Sequence, residues 1–173
     1  MGNLANWTQY LVGPIDLDKD PYSWRDVVTD FLVKRGAQVL DPTKKSSSIG
    51  LEDEDSRLLR KQYKEKGEYD KLAKIMKKVV GYDYRCVDTS DCLICRLDIN
   101  IPTCGSFYEM CLGEIQRKPI LVFSTSGKNT INDWVYGIVE LSHIFENMEE
   151  MFDYLDRLDK DLSVDVTGRF KIL

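Results

Sequence analysis

Six residues in the middle of the chain, Cys92 to Leu97, form a near-continuous apolar run that ends at Asp98. Neighbouring side chains of a strand point to opposite sides of a sheet, so such a run suits a strand covered on both faces. Sheets covered on both faces are built from parallel strands, and parallel strands need long crossover connections, usually helices. The rest of the chain supplies them. Gln9 to Gly13 reads as a short strand stopped by Gly13-Pro14, and Gln38 to Leu40 as a second one closed by Asp41-Pro42. Between them Trp24, Val27, Val28, Phe31 and Leu32 recur at helical steps, with Pro21 ahead and Gly36 behind, which predicts a helix over 22–35. Phe107 to Arg117 reads as another helix, Pro119 to Phe123 as the next strand, and Met148, Met151, Phe152, Leu155 and Leu158 as the apolar face of a last helix. The expected class is α/β: a three-layer sandwich whose mostly parallel sheet of about five strands is joined by right-handed crossovers. A length of 173 residues suits one domain, 1–173.

Residues 44–81 depart from this alternation. A serine cluster and the acids Glu52 to Asp55 lead into a mix of both charges with sparse apolar residues such as Leu58, Leu59, Leu72, Ile75 and Met76. Two helices are predicted, about 52–66 and 68–79, broken at Gly67. Their charged faces read as solvated; the other reading is a lid or subunit contact, since long insertions in compact domains often cover sites.

Twenty-four basic against 29 acidic residues give a net charge of −5, which offers no long-range attraction to nucleic acid or an anionic membrane surface. There is no apolar run of about 18 residues, and Met1 to Thr8 lacks the basic start and apolar stretch of a signal peptide, so the expected location is the cytoplasm. Five cysteines, an odd number, argue against a disulfide framework. Cys92 and Cys95 have the spacing of a redox or zinc pair, yet they lie inside the buried strand, and the single histidine, His143, stands beside Ile144 and Phe145. Both features read as core packing, and no metal or cofactor is expected.

In an open parallel sheet, ligands collect beyond the carboxyl ends of the strands. The loops Gly13 to Asp20 and Asp98 to Gly105 should meet there, with the helix that follows Gly105. Glu109 falls in or near the first turn of that helix. It reads either as the acid of a capping box begun by Ser106 or as a carboxylate kept ionised near a helix N-terminus, the state a nucleophile needs. Asp83, between Tyr82 and Tyr84, is either an N-cap for a turn over Tyr84 to Val87 or an acid held protonated by apolar neighbours. Tyr10 is a buried tyrosine or a ligand to a catalytic carboxylate, Asp16 a ligand contact or part of a solvated acidic turn with Asp18 and Asp20, and Asp91 a backbone acceptor at a strand's start.

Several short motifs, taken in order, resemble the nucleoside 2-deoxyribosyltransferase family, including its relatives that hydrolyse deoxynucleoside monophosphates. Tyr10-Leu11-Val12-Gly13-Pro14 is similar to the family's first strand and turn, and Val39-Leu40-Asp41-Pro42 to its second strand. Asp83 and Asp91 have its Asp-x7-Asp spacing, Gly105-Ser106-x-x-Glu109 matches its Gly-Thr-x-x-Glu motif with serine for threonine, and Lys118-Pro119 opens the next strand as it does there. The resemblance covers about residues 8–155, interrupted by 44–81, and implies a flavodoxin- or Rossmann-like sheet. It makes Glu109 the nucleophile, Asp83 the acid that protonates the leaving base, and Tyr10 the holder of the Glu109 carboxylate. Gly13, Asp16, Asp98, Gly105 and Ser106 become substrate contacts, and Asn132 a contact supplied to a neighbouring subunit in a homo-oligomer with shared sites. The small-molecule partners implied are a 2'-deoxynucleoside and a nucleobase. One departure stands out: Thr103 occupies a position where many members carry aspartate.

Three other functions compete with sugar transfer. A monophosphate hydrolase would use the same carboxylates, but Asp16, Asp18 and Asp20 lie where a phosphate would be bound and would repel it. A catalytically inactive nucleoside-binding homologue would retain the fold alone. A receiver-like signalling module would need its lysine at the carboxyl end of a strand, whereas Lys118-Pro119 precedes one.

Overall fold

The computed structural model describes residues 2–44 and 54–172, so the serine cluster and the start of the predicted 52–66 helix lie outside the described residues. Five strands, β1 (Thr8–Val12), β2 (Gln38–Leu40), β3 (Cys92–Leu97), β4 (Ile120–Ser124) and β5 (Ile144–Phe145), form one sheet in the order β2-β1-β3-β4-β5. Every pairing is parallel. The helices are α1 (Ser23–Val33), α2 (Glu54–Glu65), α3 (Tyr69–Thr89), α4 (Cys104–Ile115), α5 (Asp133–Ile138) and α6 (Met148–Lys160).

All six residues of β3 are buried, and their side chains alternate between two cores. Cys92 and Ile94 join Trp24, Val28 and Leu32 of α1 and Met151, Leu155 and Leu158 of α6. Leu93, Cys95 and Leu97 join Val87 of α3, Met110 of α4 and Val135 of α5. The expected three-layer α/β sandwich is therefore the observed one. Cys92 and Cys95 face opposite layers, which rules out a shared disulfide or metal, and burial pushes both thiols well above their ordinary range.

Helix α4 lies close on β3 and β4 because Gly113 has no side chain: a β-carbon there would stand 3.0 Å from Leu93 Cδ2 and 3.3 Å from Ile120 Cδ1. The amino ends of the strands are held by polar ties. Asp91 accepts from Thr8 N at 2.7 Å, its expected backbone role. Lys118 Nζ donates to Asp88 O at 2.8 Å and Ser90 O at 2.6 Å, neutralising the carbonyl end of α3. That lysine stands at the edge of the sheet opposite the strands' carboxyl ends, so the receiver geometry is absent.

The largest departure from the sequence reading among the helices is in α3. The second helix of the 44–81 segment runs on to Thr89 instead of stopping near residue 79. Gly81, two tyrosines and Val87 are weak helix formers, but Val79, Cys86 and Val87 return to one face and are buried. Burial of that face outweighs propensity. Strand β5, two residues long, and α5 carried no periodic signal of their own.

His143 packs as the sequence implied. It is 1% exposed, its Nε2 lies 3.0 Å from Tyr154 Oη and 3.6 Å from Asp165 Oδ1, and Phe170 meets its ring edge-on. This cluster fastens the C-terminal segment to β5 and α6. Burial lowers the His143 pKa from 6.5 to about 4. Between those values the unfolded chain binds a proton that the folded chain refuses, so stability falls as pH drops from 6.5 towards 4. The shift corresponds to about 3 kcal/mol. Urea unfolding of the wild type and of His143→Gln at pH 7 and pH 4.5 should show a pH loss of roughly that size in the wild type beyond the loss in the variant; equal losses would remove His143 as its source.

Candidate active site

The strand order reverses direction between β1 and β3, and the loops leaving their carboxyl ends diverge to opposite faces, opening a crevice. Gly13 lets the chain leave β1 there, since a β-carbon would stand 2.9 Å from Trp24 Cζ2 and 3.2 Å from Arg96 O. The fully buried Arg25 fixes the exit by donating to Gly13 O at 2.9 Å and Pro21 O at 2.5 Å.

Of the acids in the following loop, Asp16 and Asp20 are exposed, as a solvated turn implies, and Asp18 is buried. Asp18, 6% exposed, accepts from Arg96 Nη1 of β3 at 2.6 Å. Asp16 pairs with Arg60 of α2, and Arg57 Nη2 donates to Asp16 O at 2.6 Å. Asp20 accepts from the amides of Tyr22 and Ser23 at the start of α1, and donors from Ser23 hold its carboxyl below the ordinary range. Arginines pair with two of the three carboxylates, Arg96 of β3 with Asp18 and Arg60, from the segment read as solvated, with Asp16.

Helix α4 begins earlier than predicted. Its N-cap is Thr103, whose Oγ1 accepts from Ser106 N at 3.3 Å and donates to Ser106 Oγ at 2.5 Å. Ser106 is therefore inside the first turn, no Ser106–Glu109 capping box forms, and Glu109 sits in the second turn, beyond the strong reach of the helix N-terminus. Its partner is instead the tyrosine of β1: Tyr10 Oη donates to Glu109 Oε1 at 2.7 Å, with Tyr10 1% and Glu109 8% exposed. Burial, then the charges of Glu109 and Asp83, raise the Tyr10 pKa well above its ordinary value, so the phenol stays a donor.

Asp83 lies within α3 and does not cap a separate turn. Tyr84 beside it stacks on Tyr108 of α4, ring centroids 5.1 Å apart, and so ties together the two helices that carry the acids. A cavity of about 360 Å³ opens over them, a size suited to a small organic ligand. Tyr10, Gly13, Asp16, Asp83, Gly105, Ser106 and Glu109 all border it. Asp98 and Asn132 do not. Asp98 accepts from Asn100 N at 2.8 Å and stands 3.9 Å from Arg96 Nη2. Asn132 is exposed and caps α5 through Trp134 N at 2.9 Å. Sequence reasoning gave no role to Lys64, Met76, Val79 and Val80, which form the wall supplied by α2 and α3. The recurrence of Met76, Val79, Val80 and Asp83 along one helical face was the available signal. Thr103 also borders the cavity.

The fold is shared with a solved 2-deoxyribosyltransferase from Bacillus psychrosaccharolyticus, 17% identical, with a TM-score of 0.57 over 90% of this chain and 93% of that one. A CMP N-glycosidase, BcmB, from Clostridium botulinum matches at 13% identity and a TM-score of 0.46, over 86% of this chain and 98% of that one. A conserved protein from Enterococcus faecalis V583 matches at 13% identity and a TM-score of 0.45, over 97% of this chain and 88% of its own. No family model and no curated protein matches the sequence.

The buried Arg96–Asp18 pair holds the first loop against β3. Removing one partner of such a pair strands the other charge, at a cost of about 3–5 kcal/mol, whereas replacing both with apolar groups is often close to neutral. Arg96→Met should lower unfolding stability in urea by about that much, and Arg96→Met with Asp18→Leu should recover most of it. A single variant within about 1 kcal/mol of wild type would show that the pair does not hold the loop.

Proposed function

We propose that the chain is an N-glycosyl enzyme that cleaves a 2'-deoxynucleoside at its N-glycosidic bond and transfers the sugar to another nucleobase. The observation that carries this reading is the Tyr10–Glu109 hydrogen bond at the border of a cavity that Asp83 also borders. The fold shared with a 2-deoxyribosyltransferase supports it, as does the order of motifs in the sequence.

Glu109 attacks the anomeric carbon as the bond to the base breaks, through an oxocarbenium-like state, and forms a deoxyribosyl ester. Asp83 gives its proton to the departing base. The acceptor base then attacks the same carbon from the vacated face, Asp83 takes up its proton, and Glu109 leaves as a carboxylate. Two displacements give net retention of configuration. Tyr10 fixes the direction of the Glu109 carboxylate, and its neutral phenol adds no competing charge. Water in place of the second base makes the same machinery a hydrolase. The pairing of Asp16 and Asp18 with arginines favours keeping that second reading for monophosphate substrates.

Assembly into a homo-oligomer belongs to the same proposal. Trp134, 76% exposed, and Tyr136, 41% exposed, offer an apolar surface around Asn132 for a second copy.

Incubation with thymidine or deoxycytidine plus free adenine, followed by chromatographic separation, distinguishes transfer from hydrolysis. Glu109→Ala should lower both by at least about a thousandfold, and Asp83→Asn by about 10²- to 10⁴-fold, with circular dichroism reporting an intact fold. Wild-type turnover in the folded Glu109→Ala variant would remove that residue from its role.

A further inference from the structure

The cavity has two chemically different ends. Tyr10, Glu109 and Asp83 border it at one, and α3 leads away from them. Asp83, Val80, Val79 and Met76 share one face of that helix, so Met76 lies two turns, about 10 Å, from Asp83 along the axis. Lys64 borders the cavity from the last turn of α2. Its carbonyl accepts from Gly67 N at the turn that leads into α3, which puts Lys64 towards the Met76 end of the wall. Among the described residues it is the only cation at the cavity, and its ammonium has no ion-pair or hydrogen-bond partner. Other donors there are committed, Tyr10 to Glu109 and Thr103 to Ser106 Oγ. A cavity with acids at one end, an apolar wall, and a donor-only group on a flexible stem at the other is complementary to a flat ring with polar edges. The ring that has its glycosidic nitrogen at Asp83 turns its opposite edge to Lys64.

We infer that Lys64 selects the leaving base by the group on its edge opposite the glycosidic bond, and that bases with a carbonyl oxygen there are preferred to those with an amino group. The inference rests on the N-glycosidic reading of the cavity and adds a specificity-determining residue and the class of base. A carbonyl at that edge accepts a charge-assisted hydrogen bond from the ammonium. An amino group points its own N–H donors at the ammonium, and both lack an acceptor. The charge works in the same sense as the bond breaks. When the glycosidic electron pair passes to the ring of an oxo base, negative charge reaches the carbonyl, where the ammonium stabilises it. An amino base protonated for departure spreads positive charge onto its amino group, which the ammonium opposes. Lys64 thus discriminates without touching the anomeric carbon.

Two matched pairs differ at that edge by oxygen against nitrogen: 2'-deoxyuridine against 2'-deoxycytidine, and 2'-deoxyinosine against 2'-deoxyadenosine. The full chain is assayed by chromatography for base released from each, with thymine as the shared acceptor, and all four nucleosides are titrated by calorimetry. The carbonyl member of each pair should exceed the amino member in kcat/KM by about tenfold or more, as expected when one gains a charge-assisted hydrogen bond and the other loses it. Lys64→Met, which keeps the length of the side chain and removes its charge, should lower both ratios by about tenfold. Lys64→Glu, which presents an acceptor, should move them further towards the amino members. Lys61→Met removes the same charge from an exposed position of α2 that does not border the cavity, and should leave both ratios unchanged. A wild type that does not favour the carbonyl members, or ratios that Lys64→Met leaves unchanged, overturns the inference. Should no nucleoside release base, the N-glycosidic reading fails and binding decides the selection. Tighter binding of the carbonyl members that Lys64→Met abolishes supports it, and equal or absent binding overturns it.

Discussion

A carboxylate that is almost wholly withdrawn from water has to be met by a donor, and for Glu109 that donor stands 99 residues earlier in the chain. The Tyr10–Glu109 bond therefore requires several things at once. Strand β1 must lie beside β3 with Tyr10 opposite Leu93, the Tyr10 side chain must point to the layer that holds α4, and α4 must pack low enough to meet it. Each condition follows from the parallel, doubly covered sheet. Because burial keeps the phenol protonated, the direction of the bond is fixed: the tyrosine gives and the carboxylate receives.

Topology also explains why the 44–81 segment reaches the site. The chain leaves β2 at its carboxyl end and must return to begin β3 on the far side of β1. Extra length in that connection starts at the edge of the sheet where the crevice opens. Helices α2 and α3 fill it, one bringing cations to the first loop and the other bringing Asp83 with an apolar wall. The same detour that closes the fold thus furnishes one side of the cavity, and the charge of that side is set by residues remote in sequence from the motif that carries Glu109.

What the sequence made legible was what depends on pattern. The run Cys92 to Leu97 gave β3 and with it the parallel, two-sided sheet, and Gly13-Pro14 marked where β1 releases the chain. Short-range signals that depend on tertiary partners were harder to read. Ser106 and Glu109 have capping-box spacing, yet Thr103 takes the cap and frees Glu109 for a tyrosine that no local rule could nominate. The extension of α3 to Thr89 came from a buried face that outweighed poor helix formers. Asp16, Asp18 and Asp20 looked like free charge because their arginine and serine partners come from β3, α2 and the start of α1. Asp98, legible as the end of a strand, proved to serve its own loop.

The missing side chain at Gly113 reaches further than its own packing. It lies on the same helix as Glu109, one turn nearer the C-terminus, and it sets how closely that helix can ride on Leu93 and Ile120. A β-carbon at position 113 would press on the ends of the Leu93 and Ile120 side chains, which would have to give by a few tenths of an ångström for the helix to keep its seat. The seating of the helix that carries Glu109 depends, at one turn's remove, on an atom the chain does not possess.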